Sequence, residues 1–330
     1  MTAKTMQAAR LHGIKDMRIE TMPVPEPGPG ELLVRVEACG LCATDARKYR
    51  IGVRDGEYPL NPGHEWLGTV ESVGVGVDGW SNGERAYGDT YGGYAEFAVV
   101  PAAPGEWSCG AMAIQKEVPR NRAVFLEPLA DCLHGVLDQG RVQEGDHVVV
   151  FSAGSMGLQL AALAARAGGR VMVVEPIQAR RELALTFGAE TAVEADGWKD
   201  AVEGWTNGRG PDVAIVAVGR GDLVAAAVDA AAPGGRVVAF AGFGDEATAV
   251  IDLNRIHYGE VMLVGSEWIG APPNQRWERY GQARDLLTSG ALPLEDLVTR
   301  IIKFDQVADA LDGFASHLEL KTILVPGDES

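Results

Sequence analysis

The sequence predicts an α/β protein made of a β-rich part and a doubly wound parallel sheet. Two patterns carry that prediction. Short alternating strands between Pro- and Gly-rich turns fill the first third, and from residue 147 onward buried strands alternate with Ala-rich helices. Length is a third: 330 residues suffice for two cores of roughly 150 residues each.

Residues 23–30, with four prolines, form a stiff loop, because proline fixes φ and lacks an N–H to donate. Residues 32–38 alternate, Val34, Val36 and Ala38 against Arg35 and Glu37, as a half-buried strand does. Strand-like runs at 69–75 and 93–100 follow Gly- and Asp-rich turns, so this third reads as a small antiparallel barrel or sandwich. His147–Phe151 is continuously apolar, the mark of a strand buried on both faces. A helix at 156–167 stops at Gly168 and Gly169, and a strand follows at 170–175. The rhythm continues with a helix at 178–187, a strand at 212–218, a helix at 223–232 and a strand at 236–242. Helices near 280–289 and 304–314 and a strand at 320–325 close the chain. No long linker precedes them, so they are expected to return to the first domain.

Composition narrows the function. Apolar residues make up 46% and charged residues 23%, as in a soluble globular protein. The net charge of -17 repels a phosphate backbone, which argues against nucleic acid as a partner; the excess acid reads as a solvated surface. No run of about 18 apolar residues is present, so no membrane span is expected. The first ten residues lack the apolar core of a signal peptide. Four cysteines are too few for a disulfide framework; a cytoplasmic chain with reduced thiols is expected, and such thiols serve metal binding or catalysis.

The first strand of the α/β region runs into Ser152-Ala153-Gly154-Ser155-Met156-Gly157, a GxGxxG turn with serine in place of its first glycine. Gly154 lets the backbone approach a pyrophosphate, and Gly157 lets the helix pack closely on the strand. The helix N-terminus at Ser155 and Met156 offers free N–H groups to phosphates. Glu175 ends the next strand, at the distance the fingerprint requires. A carboxylate there binds ribose hydroxyls and repels a 2′-phosphate, favouring NAD over NADP. Further cofactor contacts are expected at Arg180, Val218, Gly242 and Ser266. The competing reading is an ordinary tight turn between strand and helix.

Cys39-Gly40-Leu41-Cys42, Gly63-His64-Glu65 and Glu127-Pro128-Leu129 can supply metal ligands. Thiolate, imidazole and carboxylate suit a borderline-soft ion such as zinc, which catalytic sites hold with three protein ligands and one open position. Read alone, the cysteine pair also fits half of a four-cysteine site or a redox pair. His64 alone also fits a satisfied loop histidine, and Glu127 a carboxylate near a helix N-terminus.

These segments occur in register: 31–45, Pro62 to Glu65 with Gly68, Gly83 to Arg85, Leu126 to Leu129, and the Gly-rich turn. Together they resemble zinc-dependent medium-chain dehydrogenases, most closely the sorbitol and threonine dehydrogenase branch. The resemblance implies a GroES-like catalytic domain from 1–135 and 274–330, with a Rossmann domain, 136–273, inserted between them. It makes Cys42, His64 and Glu127 the zinc ligands and Glu65 a second, catalytic carboxylate close to zinc, able to exchange with it or with its water. Thr44 becomes the hydroxyl that begins proton release, Asp45 a residue behind the ligands, and Cys39 a packed thiol. The four-cysteine structural zinc lobe of the family is missing between Gly88 and Glu127, so one zinc ion is expected. The relay position often held by histidine is Arg47. The implied activity is NAD-linked oxidation of a secondary alcohol of a polyol, sugar, cyclitol or aminocyclitol to a ketone, in a homo-oligomer, dimer or tetramer. A ketone reductase working in reverse and a non-catalytic dinucleotide-binding protein are the alternatives. Tyr49, Trp66, Tyr91, Trp268, Glu267 and Arg276 are candidates for the pocket lining.

Overall fold

The computed structural model describes residues 4–53, 57–105, 108–244, 247–314 and 319–327. The chain begins with strands β1 (Thr5–Gly13), β2 (Asp16–Pro23) and β3 (Glu31–Gly40), then helix α1 (Ala43–Ile51). Strands β4 (Glu65–Val73), β5 (Arg85–Gly88), β6 (Phe97–Pro101) and β7 (Met112–Ala113) follow, then helices α2 (Arg120–Ala123) and α3 (Leu126–Leu133). A π-helical turn, His134–Gln139, leads into strict alternation: β8 (His147–Phe151), α4 (Ser155–Arg166), β9 (Arg170–Val174), α5 (Gln178–Thr186), β10 (Thr191–Val193) and α6 (Trp198–Trp205). It continues through β11 (Val213–Val216), α7 (Gly221–Ala230), β12 (Arg236–Ala239), α8 (Leu253–His257) and β13 (Met262–Gly265). The end comprises α9 (Pro273–Ser289), β14 (Val298–Ile302), α10 (Val307–Asp312) and β15 (Lys321–Leu324).

Two compact units result: residues 1–128 with 272–330, and residues 129–271. The first holds the β1–β2 hairpin and a seven-stranded sheet ordered β14-β15-β3-β4-β5-β7, with β6 also paired to β3. Its core gathers Leu32, Val34, Val36, Trp66, Val70 and Val100 with Leu311 and Leu324 from the far end of the chain. The closing strand β15 lies antiparallel to β3, Ile323 opposite Gly40 and Leu324 opposite Cys39. That register carries Lys321 toward the cysteine pair. The second unit is a six-stranded parallel sheet ordered β10-β9-β8-β11-β12-β13. Its order reverses between β8 and β11, the switch point where doubly wound sheets bind dinucleotides.

The buried strands of the α/β region lie where their apolar runs place them, β8 over the same five residues as expected. Helix α9 starts at Pro273, seven residues before the expected Tyr280, because Pro272 and Pro273 supply a pre-formed first turn while 274–279 are almost wholly polar. Helix α1 had no apolar stripe to announce it: buried Asp45 shares its inner face with Ala46 and Tyr49.

Candidate active site

Cys42 ends the turn after β3 and caps α1, its Sγ accepting from the Thr44 amide at 3.4 Å. The thiol therefore faces the N-terminal end of that helix. His64 lies in the turn before β4, and Glu65 opens that strand. One donor atom from each of Cys42, His64 and Glu65 lies within 4.8 Å of the other two. Among the described residues this is the converging set, and Glu127 stands outside it. The sequence expectation placed Glu127 as third ligand and Glu65 beside it; here Glu65 occupies the convergent position.

Different groups hold the two carboxylates. Glu65 is 3% exposed and pairs through Oε2 with Lys321 Nζ. Gly40 makes room for the pair: a Cβ there would collide with the Glu65 carboxylate and the Lys321 side chain. Burial opposes the Lys321 charge, but Glu65, Cys42 and Glu127 together raise it above the usual lysine value. Glu127 sits in the first turn of α3, its amide donating to Tyr87 Oη at 3.4 Å. Burial and the nearby Glu65 charge push its carboxyl up to about 7. Lys321 escaped the sequence reading, although a lysine in a closing strand otherwise free of charge was its signal.

Behind His64 lies Asp45, 1% exposed, its Oδ2 3.6 Å from His64 Nδ1. It accepts from the Gly63 amide at 3.4 Å and from Tyr94 Oη at 3.2 Å. Burial disfavours a charged His64, yet Asp45 and Cys42 hold it well above the usual histidine value; His64 in turn keeps Asp45 low against its own burial. At 3.6 Å the Asp45 contact is an ion pair without a hydrogen bond to Nδ1; an acid on that side of the ring leaves Nε2 free to face a metal. Thr44, two residues after Cys42, and Arg47, five after it, are both exposed. Cys39 is fully buried, and burial followed by the Asp45 and Glu65 charges pushes its thiol well up, so it is an inert packing group.

A thiolate, an imidazole with a carboxylate behind it, and a convergent carboxylate fit zinc. Of the proposed pocket aromatics, Tyr91 stands against the site, its ring edge-on to His64 at 5.2 Å with Lys48 Nζ 3.7 Å above it. Tyr49 and Trp66 are core residues instead. Where a structural zinc lobe would stand, Asp89 gathers the chain: it accepts from Ser108 Oγ at 2.5 Å, the Cys109 amide at 2.7 Å and Tyr280 Oη at 3.4 Å.

In the second unit the Gly-rich turn joins β8 to α4, with Gly154 as the helix cap. Glu175 follows β9 but is only 3% exposed. Its Oε2 accepts from the Ala153 amide at 2.7 Å and Oε1 from the Ile177 amide at 3.0 Å, so it braces the turn. Val218, Gly242 and Ser266 follow β11, β12 and β13. Because the strands are parallel, they share one sheet edge with the turn and Glu175. Ser266 Oγ is buried there without a hydrogen-bond partner, and Arg180 is half-buried in α5.

Residues 28–105 match the alcohol dehydrogenase GroES-like domain, and residues 154–289 match the zinc-binding dehydrogenase family. The L-threonine 3-dehydrogenase of Pyrococcus horikoshii is 30% identical over 326 residues, 88% of this chain and 89% of its own length. The sorbitol dehydrogenase of Bombyx mori is 28% identical, covering 96% and 97%. A zinc-binding dehydrogenase of Sinorhizobium meliloti, solved with NADP, superposes with a TM-score of 0.87 at 28% identity, over 98% of this chain and all of that one. The RspB alcohol dehydrogenase of Escherichia coli, solved with NADH, gives 0.84 at 25% identity, with the same coverage. The chain thus belongs to the zinc-dependent medium-chain dehydrogenases, with a GroES-like domain and a Rossmann domain. Within that class it is an alcohol dehydrogenase using zinc and a nicotinamide dinucleotide.

Proposed function

We propose that this enzyme oxidises a secondary alcohol of a polyol, sugar, cyclitol or aminocyclitol to a ketone, with NAD as hydride acceptor. The convergence of Cys42, His64 and Glu65, backed by Asp45 and Lys321, carries the reading. Cys42 and His64 are the fixed zinc ligands, and Glu65 and Glu127 share the third position. A zinc ion bound there supplies Lewis-acid activation of the substrate hydroxyl. Asp45 orients the His64 ring, and Lys321 balances the second carboxylate so that two acids can stand at one site. Thr44, exposed beside Cys42, takes up the alcohol proton and passes it to water. Glu175 bonds the adenosine ribose and opposes a 2′-phosphate, which favours NAD although the Sinorhizobium relative binds NADP. The relatives named for sorbitol, threonine, erythritol and butanediol support a vicinal hydroxyl or amino alcohol as substrate.

Self-association is part of the same reading. Strand β13 ends its sheet, with Met262 41% and Leu263 39% exposed, and Leu253 and Tyr258 just before it are more exposed still. An apolar free edge of this kind suits pairing with a second copy. The four free thiols fit a reducing, cytoplasmic setting. Among the described residues no helix is long and apolar enough to cross a membrane.

The deciding experiment follows NAD⁺ reduction by absorbance across a panel of polyols, cyclitols and amino alcohols, with and without a chelator. Turnover that is abolished by the chelator and restored by zinc is expected. Turnover that survives complete zinc removal would refute the mechanism.

A further inference from the structure

We propose that Ser152, standing where the dinucleotide turn has its first glycine, is a pyrophosphate ligand whose hydroxyl is the reason a side chain is kept there. The inference rests on the reading of the second unit as a dinucleotide site. Five described non-glycine residues have positive φ, and four of them, Lys15, Arg141, Asn207 and Glu260, lie at 51° to 55°, inside the ordinary left-handed well. Ser152 lies at 93°, in territory that glycine occupies freely and L-residues rarely do. The surroundings fix it: a Cβ on Gly157 would collide with the Ser152 carbonyl, so helix α4 presses directly on that peptide. Strain held by its surroundings points to a function for the side chain.

The hydroxyl is placed to provide one. Ser152 Oγ accepts from the Gly154 amide at 3.2 Å, which uses one of its two lone pairs and leaves its proton to give. Among the described residues no acceptor takes that proton. A Cβ built on Gly154 meets one atom within 4 Å, Ser152 Oγ at 3.5 Å. Gly154 is the position at which the backbone of such turns approaches the pyrophosphate. The hydroxyl therefore borders the phosphate side of the turn, donor outward, and adds a charge-assisted hydrogen bond to those from the helix N-terminus. Serine compensates for the lost glycine by binding what the glycine only admitted.

Two variants and three ligands test this. Ser152→Gly removes both hydroxyl and strain; Ser152→Ala removes the hydroxyl and keeps the strain. Dissociation constants are measured by calorimetry for NADH, ADP-ribose and adenosine, with melting temperatures alongside. Both variants are expected to bind NADH and ADP-ribose about tenfold more weakly, the scale of one hydrogen bond to a charged group, with adenosine unchanged. Only the glycine variant should melt higher than the parent. Variants that bind NADH as tightly as the parent, or that weaken adenosine equally, would overturn the inference. A parent protein that binds none of the three would instead overturn the dinucleotide reading itself, and this inference with it.

Discussion

Replacing Lys321 with methionine separates the structural from the metal-linked work of the buried pair. Both partners are almost wholly enclosed, with side chains 6% and 4% exposed. Methionine keeps the apolar stem and deletes the charge, leaving Glu65 buried beside Glu127 without its cation. Removing one partner of such a pair costs about 3–5 kcal/mol. For a unit of this size, about 2–4 °C of melting temperature is lost per kcal/mol. The zinc-free variant is therefore expected to melt about 6–20 °C below the parent, on the same scales. Zinc supplies the missing positive charge at the same carboxylate, so most of the difference should vanish in the loaded protein. Differential scanning calorimetry of chelated and zinc-loaded samples reads both numbers. Equal losses with and without zinc would refute the placement of Glu65 at the metal, and a loss below about 1 kcal/mol in the zinc-free protein would refute the pair as a buried ion pair.

Three other outcomes follow from the site. Asp45→Ala frees the His64 ring and should weaken zinc binding about 10–100-fold, the usual effect of losing a group behind a ligand; competition with a chromophoric chelator checks it, and unchanged affinity removes Asp45 from the metal site. Glu175→Ser should lower the preference for NAD over NADP at least tenfold, on the scale of one charged hydrogen bond. It should also destabilise the protein, because the Ala153 and Ile177 amides lose their acceptor; intact discrimination in kcat/KM refutes its ribose role. Leu263→Lys places a charge on the free edge of β13 and should shift the protein toward monomer in sedimentation velocity, whereas an unchanged oligomer means the interface lies elsewhere.

Local features were legible from the chain alone. The apolar run of β8, the helix after Gly154 and the acid closing β9 are read from neighbouring residues, because strand burial, turn chemistry and helix starts depend on short-range pattern. Cys42, His64 and the two glutamates were nameable as candidates for the same reason: their residue types and immediate contexts are chemical signals. Which of them meet depends on the folded sheet. Lys321 reaches Glu65 across 256 positions of sequence because β15 pairs with β3 in one register and Gly40 leaves the space. Glu65, paired with Lys321, lies in the converging set with Cys42 and His64, and Glu127 lies outside it. Trp66 went to the core and Tyr91 to the site on the same grounds, since an aromatic side chain is equally suited to either and only its surroundings select one. Register, enclosure and the placement of a single counter-charge are properties of the assembled sheet, and they set the chemistry that the motifs only make available.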